Sequence, residues 1–501
     1  MIVILTMNEK NKCLIGYDNN GRVIDSAGCI QRIINPEYYR FAEEIYHIYK
    51  ISNLNEIGIV HTELDVESKD LIHEKHIISY PYEWPAEMYQ DAVLFHLNLF
   101  IELDKYGLTL KDALPSNILF KSTQPVFVDF LSIIKNTNLS SEEWLVKGAS
   151  FQDRRFAVVE RMLIPFMLVP LVAMINKNYH QARVMLSEQA CNMSNASPQF
   201  IDVFPEDIIN KNMSIRCNLK NIIKLFFNRN NYRNACILFQ LINSHKVKNE
   251  PGFINYIKKI YDAVKCLDVK PPTSCYASYY DEKKENFDFA NIENWGEKQK
   301  NVYAILKQEK PETVIDIGAN TGWFSFLAEN MGSKVTAIDI DENCVNNIYR
   351  IAKQENKKIL PLLLSFDNLL KKYYGVIYGS PEYADRDFKN TALFLAPINR
   401  LKGDIVMCLG LLHHLVLGMG HEISFVFQVL SQMTNKSILT EFVDISDLLI
   451  KNEPSFFKNL YKYNENNYNI ALVIKEGKKF FKDVEIFDSH PETRKLILFK
   501  N

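Results

Sequence analysis

Residues 313–341, TVIDIGANTGWFSFLAENMGSKVTAIDID, constrain the fold of this 501-residue chain more than any other segment. Their pattern predicts a strand that ends in Asp316-Ile317-Gly318, where Gly318 permits a sharp turn into a tight loop. A helix then begins at Gly322, and a second strand ends in Asp339. Apolar strands that alternate with helices form parallel sheets, which bind ligands at the carboxyl ends of their strands. The segment therefore predicts an α/β fold with a ligand site beside these two acids.

The same alternation continues on both sides of this segment. WGEKQKNVYAILKQ predicts a helix before it, and residues 342–355 predict a helix after it. ILPLLLS, GDIVMCLG and SILTEFVD predict further apolar strands. Residues 268–288 mix proline, serine, tyrosine and charge, and predict a junction with the N-terminal half. The tyrosines of this junction either close over a ligand or pack: Tyr276, Tyr279 and Tyr280.

The spacing of the glycines indicates the kind of ligand. A dinucleotide fingerprint, G-x-G-x-x-G, presents bare backbone and a helix N-terminus to a pyrophosphate. Here a carboxylate, Asp316, lies at the turn, with Asn320 and Thr321 between the glycines. A carboxylate repels pyrophosphate and suits a cationic amino group, and Asp339 lies where it can accept both hydroxyls of a ribose. S-adenosylmethionine combines an amino group, a sulfonium and a ribose diol; a different nucleotide-binding α/β domain stays an alternative.

Residues 316–322, Asp339 and residues 404–415, DIVMCLGLLHHL, resemble the first, second and fourth motifs of class I S-adenosylmethionine-dependent methyltransferases. The resemblance implies a Rossmann-like domain over residues 271–501, with a seven-stranded, mainly parallel sheet. It implies these cofactor-binding residues: Asp316, Gly318, Ala319, Asn320, Gly322, Asp339, Ile340, Asp367 and Leu409. One position departs from the family, which usually has an acid after the third strand to hold the adenine amino group. This chain has Ser365 there, so either Asp367 substitutes or adenine is held by stacking and backbone contacts.

Two histidines, His413 and His414, follow the fourth strand and are the candidates for catalysis. An imidazole has an unperturbed pKa near 6.5, so either could be a general base for a hydroxyl, and either could equally hydrogen-bond in the core. Glu441 and Asp444 end the next strand, where they line the acceptor pocket or cap a helix. Alignment of the acceptor with the methyl group does much of the work, because the sulfonium is already activated.

More narrowly, the chain resembles a bacterial group of nodulation-protein-type methyltransferases over nearly its full length. Four segments carry this resemblance: SYPYEWP (79–85), LTLKDALPSNILF (108–120), PVFVDFLS (125–132) and SYYDE (278–282). The resemblance implies a saccharide or another small molecule as the acceptor. We expect methylation at oxygen, because no Asn-Pro-Pro-Tyr motif for a nitrogen acceptor follows the fourth strand.

The N-terminal half carries a second pattern. Asp112 and Asn117 lie five residues apart and Asp129 follows a short hairpin, an arrangement that resembles the catalytic loop and metal-binding aspartate of kinases. The resemblance implies a diverged α+β kinase-like domain in residues 1–205 and a helical connector in residues 206–270. ATP and magnesium would bind at the three polar residues, although no glycine-rich loop precedes them. Three interpretations stay open: an inactive domain that binds or positions the acceptor, an active kinase in a bifunctional chain, and an unrelated fold.

Further segments of this half predict local structure. Residues 36–51 and 86–104 predict helices, and residues 118–120 and 126–130 predict the strands of a hairpin. HIISYPYEW predicts a strand and turn. Residues 163–175, 13 apolar residues with two prolines, predict a buried helix, because a membrane span needs about 20 residues.

Composition narrows the possible partners. The formal net charge of −2 disfavours nucleic acid as a partner. The nine cysteines show no CxxC spacing, which predicts neither a disulfide framework nor a metal site. The N-terminus lacks the pattern of a signal peptide, so we expect a cytoplasmic protein, with the oligomeric state open. A non-catalytic scaffold that retains both folds stays an alternative to the enzyme.

Overall fold

The computed structural model describes residues 12–14, 20–26, 28–136, 153, 155–191, 252–274, 289–370, 373–374 and 392–501. The chain divides into two compact units. The N-terminal unit is Met1–Pro271 with Lys372–Phe394, and the C-terminal unit is Pro272–Lys371 with Leu395–Asn501. The division at Pro271 falls inside the predicted junction, whereas the predicted boundary at residue 205 lies outside the described residues.

An antiparallel five-stranded sheet begins the N-terminal unit, with the strand order β1-β2-β3-β5-β4. Its strands are β1 (Lys12–Leu14), β2 (Gly21–Ser26), β3 (Cys29–Ile34), β4 (Thr62–Asp65) and β5 (Asp70–His73). Helix α1 (Tyr39–Ile51) lies between β3 and β4 in the chain and buries Ala42, Ile45, Tyr46 and Tyr49. The helix predicted over residues 36–51 is therefore confirmed.

The second part of this unit is built on helix α2 (Ala86–Asp104), which has the predicted bounds. Two short antiparallel pairs follow it: β6 (Leu108–Leu110) with β9 (Ile133–Lys135), and β7 (Ile118–Lys121) with β8 (Gln124–Phe127). The predicted hairpin is confirmed as β7 and β8. Three further helices are α3 (Arg155–Val158), α4 (Val169–Ile175) and α5 (Tyr179–Cys191), and α6 (Phe253–Lys265) packs on α2.

Two local predictions in this unit are wrong. HIISYPYEW forms no strand, and its part Pro81–Glu83 is a short 3-10 helix that begins at a proline, a residue without the N–H that a strand would donate. The second strand of the hairpin ends at Phe127 rather than at Phe130, which begins the 3-10 helix Phe130–Ser132. The second segment contains Asp129, which directly precedes this 3-10 helix.

The apolar segment is longer than the sequence predicts. A π-type helix, Val159–Leu168, joins α3 to α4, so the helical stretch Arg155–Ile175 has 21 residues. By length and composition alone this stretch could cross a membrane, but 82% of its most apolar window is buried inside the structure. A buried core helix meets the same criteria, so the stretch is weak evidence for a membrane span.

A seven-stranded sheet forms the centre of the C-terminal unit, with the strand order β12-β11-β10-β15-β16-β18-β17. Its strands are β10 (Thr313–Ile317), β11 (Lys334–Asp339), β12 (Ile359–Leu363), β15 (Gly403–Cys408), β16 (Thr434–Val443), β17 (Asp483–Asp488) and β18 (Arg494–Lys500). Only β18 runs against its neighbours, so the predicted mainly parallel α/β sheet is confirmed. The short strands β13 (Tyr373–Tyr374) and β14 (Ala392–Phe394) pair within the N-terminal unit.

Helices follow the parallel strands as the sequence predicts. They are α7 (Glu297–Glu309), α8 (Trp323–Asn330), α9 (Glu342–Gln354), α10 (Pro397–Arg400), α11 (Ile423–Ser431), α12 (Leu448–Asn452) and α13 (Ile470–Gly477). Between β10 and β15 the chain reverses its direction of travel across the sheet. A ligand crevice forms at such a switch point, beside the carboxyl ends of the strands.

Gly322 permits the close contact between the loop after β10 and helix α9. It precedes α8 with a φ of +91°, and a Cβ there would lie 2.9 Å from Cγ1 of Ile348. Ile348 is fully buried, so it has little room to move. Gly332 has a φ of +103°, but a Cβ there would meet no atom within 4 Å.

We predict that Gly322→Ala destabilises the protein more than Gly332→Ala. Both variants carry the cost of a left-handed backbone, about 1–2 kcal/mol, and Gly322→Ala adds an overpacking cost of about 1–3 kcal/mol. Chemical denaturation of the two variants measures the difference. Equal destabilisation would show that the contact with Ile348 does not constrain the loop.

Candidate functional site

The loop between β10 and α8 uses its own backbone N–H groups internally. Those of Gly318 and Ala319 donate to the Ile338 carbonyl, and that of Asn320 donates to the Asp339 carboxylate at 2.7 Å. Those of Thr321 and Gly322 donate to oxygens within the loop. A pyrophosphate site needs backbone N–H groups that point at the ligand. The loop therefore does not form the phosphate cradle of a dinucleotide fold. This agrees with the spacing of its glycines, which differs from the dinucleotide fingerprint.

Asp339 ends β11 and is partly exposed beside this loop. One carboxylate oxygen accepts from the Asn320 N–H, and the other accepts from the Asp341 N–H at 2.9 Å. Burial raises the pKa of the Asp339 carboxyl, although these backbone hydrogen bonds oppose the shift. Each oxygen keeps acceptor capacity, so the group can accept two hydroxyls. The next residue, Ile340, is 69% exposed, and its apolar surface is open to a flat ligand group.

Asp316, near the end of β10, is the most deeply placed acid of the motif, at 3% exposure. Among the described residues, the Ser325 hydroxyl donates a hydrogen bond to this carboxylate, at 2.6 Å. Burial raises the pKa of the Asp316 carboxyl to about 6, and the negative charge of Asp339 adds to the shift. A buried carboxylate without a hydrogen-bonded cation is poorly stabilised, and a cationic ligand group would compensate it.

The loop after β15 lies against the motif loop. A Cβ at Gly318 would lie 3.2 Å from the Leu411 side chain, and Gly318 adopts a φ of +78°. Leu409 follows β15 and is buried, and Gly410 adopts a φ of +65°. The structure therefore brings together the predicted residues of the first and fourth motifs, at the switch point of the sheet.

The two predicted histidines have different environments. His413 is 2% exposed, and neither ring nitrogen has a hydrogen-bond partner among the described residues. Burial lowers the pKa of His413 well below 6.5, and the neighbouring His414 adds to this. His414, partly exposed, begins the π-type helix His414–Gly418, and burial lowers its pKa too. Its ring lies 4.3 Å from that of His413 and stacks on Phe457 at 5.1 Å.

A buried ion pair lies beside Gly410 and was not predicted from the sequence. The carboxylate of Glu441, fully buried in β16, accepts from the Lys298 ammonium at 2.6 Å and from the Ser489 hydroxyl at 2.7 Å. Lys298 and Glu441 are 143 residues apart, and no motif connects them. The sequence predicted that Glu441 lines the acceptor pocket or caps a helix, and neither alternative included this ion pair. Helix α12 is capped by Asp447, and Asp444 accepts from Ser446 instead.

The predicted adenine-side residues lie after β12. Asp367 is in the 3-10 helix Phe366–Leu370, with its side chain 54% exposed, and one of its carboxylate oxygens lies 2.8 Å from Nε2 of His421. Ser365 is partly buried and accepts from the Asn368 N–H. Both residues are at least partly exposed, so either is accessible to a ligand.

In the N-terminal unit, the predicted polar residues take part in two contacts. The side-chain amide of Asn117 donates to the carboxylate of Asp112 at 2.6 Å, and Asp112 is buried. Asp129 accepts from Arg32 of β3 at 3.0 Å, and the Arg32 side chain is only 7% exposed. Arg32 also donates to the Val128 carbonyl at 3.3 Å, so it is fixed against this segment. The sequence did not reveal this pair, because the two residues are 97 positions apart.

Two groups of predictions remain to be placed. The junction tyrosines, Tyr276, Tyr279 and Tyr280, lie outside the described residues. Within the described residues, no group of three or more histidine, cysteine, aspartate or glutamate side chains is arranged to hold a metal ion.

The chain is similar in sequence to a nodulation protein, NoeA, of Rhizobium meliloti (strain 1021). The two are 24% identical over 406 residues, which cover 79% of this chain and 75% of that protein. No family model matches the chain.

Several solved structures show weak similarity to the chain. A structure of the bifunctional kinase-methyltransferase WbdD is 17% identical with a TM-score of 0.28, covering 40% of this chain and 38% of that one. Monomeric WbdD is 14% identical with a TM-score of 0.28, covering 40% and 41%. Magnesium protoporphyrin IX methyltransferase from Synechocystis PCC 6803, with bound SAH, is 14% identical with a TM-score of 0.27, covering 40% and 80%. The chain thus spans about two fifths of the WbdD chains, and TM-scores this low do not establish a common fold.

Proposed function

We propose that the C-terminal unit is an S-adenosylmethionine-dependent methyltransferase. The observation that carries the proposal is the loop between β10 and α8, whose N–H groups are used internally while two acids, Asp316 and Asp339, flank it. This arrangement suits a ligand with an amino group and a ribose, and it does not suit a pyrophosphate. The mainly parallel sheet, with β18 antiparallel to its neighbours, is consistent with the sheet that the class I resemblance implies.

The residues present fit the cofactor group by group. Asp316 pairs with the ligand's amino group, because its carboxylate is buried and its hydrogen-bond donor among the described residues is a hydroxyl, not a cation. Asp339 accepts the two ribose hydroxyls, and the exposed Ile340 covers one face of adenine. Gly318 and Gly322 permit the close approach of the backbone. For the adenine edge, Asp367 is the available acid, with its side chain 54% exposed beside His421.

We propose that the acceptor is a saccharide or another small molecule and that its oxygen is methylated. The cofactor supplies an electrophilic methyl group, so the protein has to align the acceptor and take up a proton. Of the two histidines, His414 is the partly exposed one, and its lowered pKa keeps it neutral and able to accept a proton near pH 7. His413 packs behind it and positions it. The formal net charge of −2, which disfavours nucleic acid as a partner, is consistent with this acceptor class.

We predict that Asp339→Ala weakens the binding of S-adenosylhomocysteine (SAH), the demethylated cofactor. Each lost charged hydrogen bond is worth about 1.5–3 kcal/mol, or about 10- to 150-fold in affinity. Calorimetric titration of SAH into the wild type and the variant measures this loss. Asp483→Ala, which removes an exposed acid from the edge strand β17, is the matched control. No binding to the folded wild-type protein would contradict the proposed function and favour a non-catalytic scaffold.

We predict that SAH affinity depends on the ionisation of Asp316. The pKa of this carboxyl is about 6 in the free protein, so at lower pH it is protonated and no longer attracts an amino group. The affinity should be constant above this pKa and fall as pH drops through 6, by up to about tenfold per pH unit. Titrations between pH 5 and 8 measure the slope. Asp316→Asn should bind weakly and show a smaller slope; an unchanged slope would assign the titration to another group.

The N-terminal unit supports a second candidate function, that of a kinase in a bifunctional chain. The contact between Asp112 and Asn117 brings together two of the three predicted residues, and Asp129 follows the hairpin directly. However, one oxygen of Asp129 accepts a hydrogen bond from Arg32, whose positive charge opposes the binding of magnesium at this carboxylate. We therefore propose that this unit is an inactive, kinase-like domain that binds or positions the acceptor.

We predict that ATP with magnesium does not bind measurably at concentrations at which SAH saturates the protein. The reason is that a metal ion would have to displace the Arg32 guanidinium from Asp129. Calorimetric titration of the wild type tests this. Tight binding that is lost in Asp129→Ala and retained in Asp483→Ala would instead establish the bifunctional alternative.

A further inference from the structure

The ion pair between Lys298 and Glu441 lies at the carboxyl edge of the sheet, where ligands of this fold bind. A Cβ at Gly410, in the loop after β15, would lie 3.6 Å from a Glu441 carboxylate oxygen and 3.9 Å from the Lys298 ammonium. The Lys298 ammonium also lies 5.3 Å from the ring centroid of Phe324, the second residue of α8. The charge pair is therefore between the loop after β15 and the helix that follows the motif loop.

The ammonium group of Lys298 has one hydrogen-bond acceptor among the described residues. Glu441 is the hydrogen-bond acceptor that the described residues provide for its ammonium, which carries three N–H groups. Glu441 in turn is fixed by the Ser489 hydroxyl and is fully buried, whereas the Lys298 side chain is 22% exposed. The pair thus presents the lysine, and not the glutamate, to the open side of the site.

The positive charge of Lys298 also acts on the pKa of the Asp316 carboxyl. Burial raises the pKa of the Asp316 carboxyl, and the positive charge of Lys298 opposes this rise. At this edge of the sheet, the Asp316 carboxylate is hydrogen-bonded to a hydroxyl and not to a cation. The nearby cation, Lys298, is paired with Glu441.

The amino-acid end of the proposed cofactor has two charges, an ammonium and a carboxylate. The motif loop, residues 318–322, contains no cationic side chain, and the nearby acids Asp316 and Glu441 would repel a ligand carboxylate. A carboxylate that leaves water needs a charged partner or several donors. On the proposed function, therefore, one half of this zwitterion has a partner in Asp316 and the other half needs a cation nearby.

We propose that Lys298 binds the carboxylate of the cofactor's amino-acid end, and that Glu441 positions Lys298 for this contact. The inference rests on the proposed function and assigns a residue outside its sequence motifs. With Asp316 facing the ammonium and Lys298 facing the carboxylate, the two charges of the ligand are recognised separately. A ligand that keeps the ammonium and lacks the carboxylate should lose the contact with Lys298 only.

Two ligands that differ by one group test this assignment: SAH and its decarboxylated analogue, which keeps the amino group. Calorimetric titration of both into the wild-type protein should show about 10- to 150-fold tighter binding of SAH, the range expected for one charged hydrogen bond. In Lys298→Met this preference should fall to about twofold or less, whereas the affinity for the decarboxylated analogue should change little. Lys300→Met, which removes an exposed lysine from the same helix, should keep the wild-type preference.

Removal of Lys298 alone leaves Glu441 buried without its cation, which can destabilise the protein. The double variant Lys298→Met with Glu441→Gln removes both charges and serves if the single variant does not fold. Loss of the preference for SAH in either folded variant supports the assignment. A preference retained at the wild-type level in a folded variant overturns it while leaving the proposed cofactor in place. Absence of SAH binding to the wild type overturns both.

Discussion

The hydrogen bond from the Asn320 N–H to the Asp339 carboxylate is the interaction on which the candidate site depends. It joins the loop after β10 to the end of β11, and it forms while Asn320 adopts a φ of 53°. With the two N–H groups that donate to Ile338, it makes the loop a self-contained unit with no free cradle for phosphate. Acids at two neighbouring strand ends then define which ligand charges the site accepts.

Three buried carboxylates among the described residues of the C-terminal unit are stabilised in different ways. Burial opposes ionisation of Asp447, but hydrogen bonds from Arg494 and Thr493 keep its pKa well below the usual range. Glu441 is paired with Lys298. Asp316 has the Ser325 hydroxyl as its described hydrogen-bond donor, and its pKa is raised. The first arrangement is complete without a ligand, whereas the last is stabilised when a cation arrives, which is why we place the ligand's amino group at Asp316.

The N-terminal unit shows a related contrast between spacing and contact. The spacing of Asp112, Asn117 and Asp129 suggests a site for magnesium and nucleotide, and the first two side chains do meet. Arg32 reaches Asp129 from β3, on a separate sheet, and replaces the free carboxylate that the metal would need with an ion pair. A ligand of this unit would therefore meet a compensated acid rather than an open metal site.

The sequence by itself determined the alternation of strands and helices, the two acids of the motif and the bounds of α2, because apolar periodicity and glycine spacing are local properties. It failed at HIISYPYEW, part of which forms a 3-10 helix instead of a strand, and at the length of the helix that ends in Ile175. Only the tertiary structure decided that Lys298 meets Glu441, that Arg32 meets Asp129 and that His413 is buried behind His414. These contacts join residues far apart in the chain or depend on depth of burial, and neither leaves a periodic signal in the sequence.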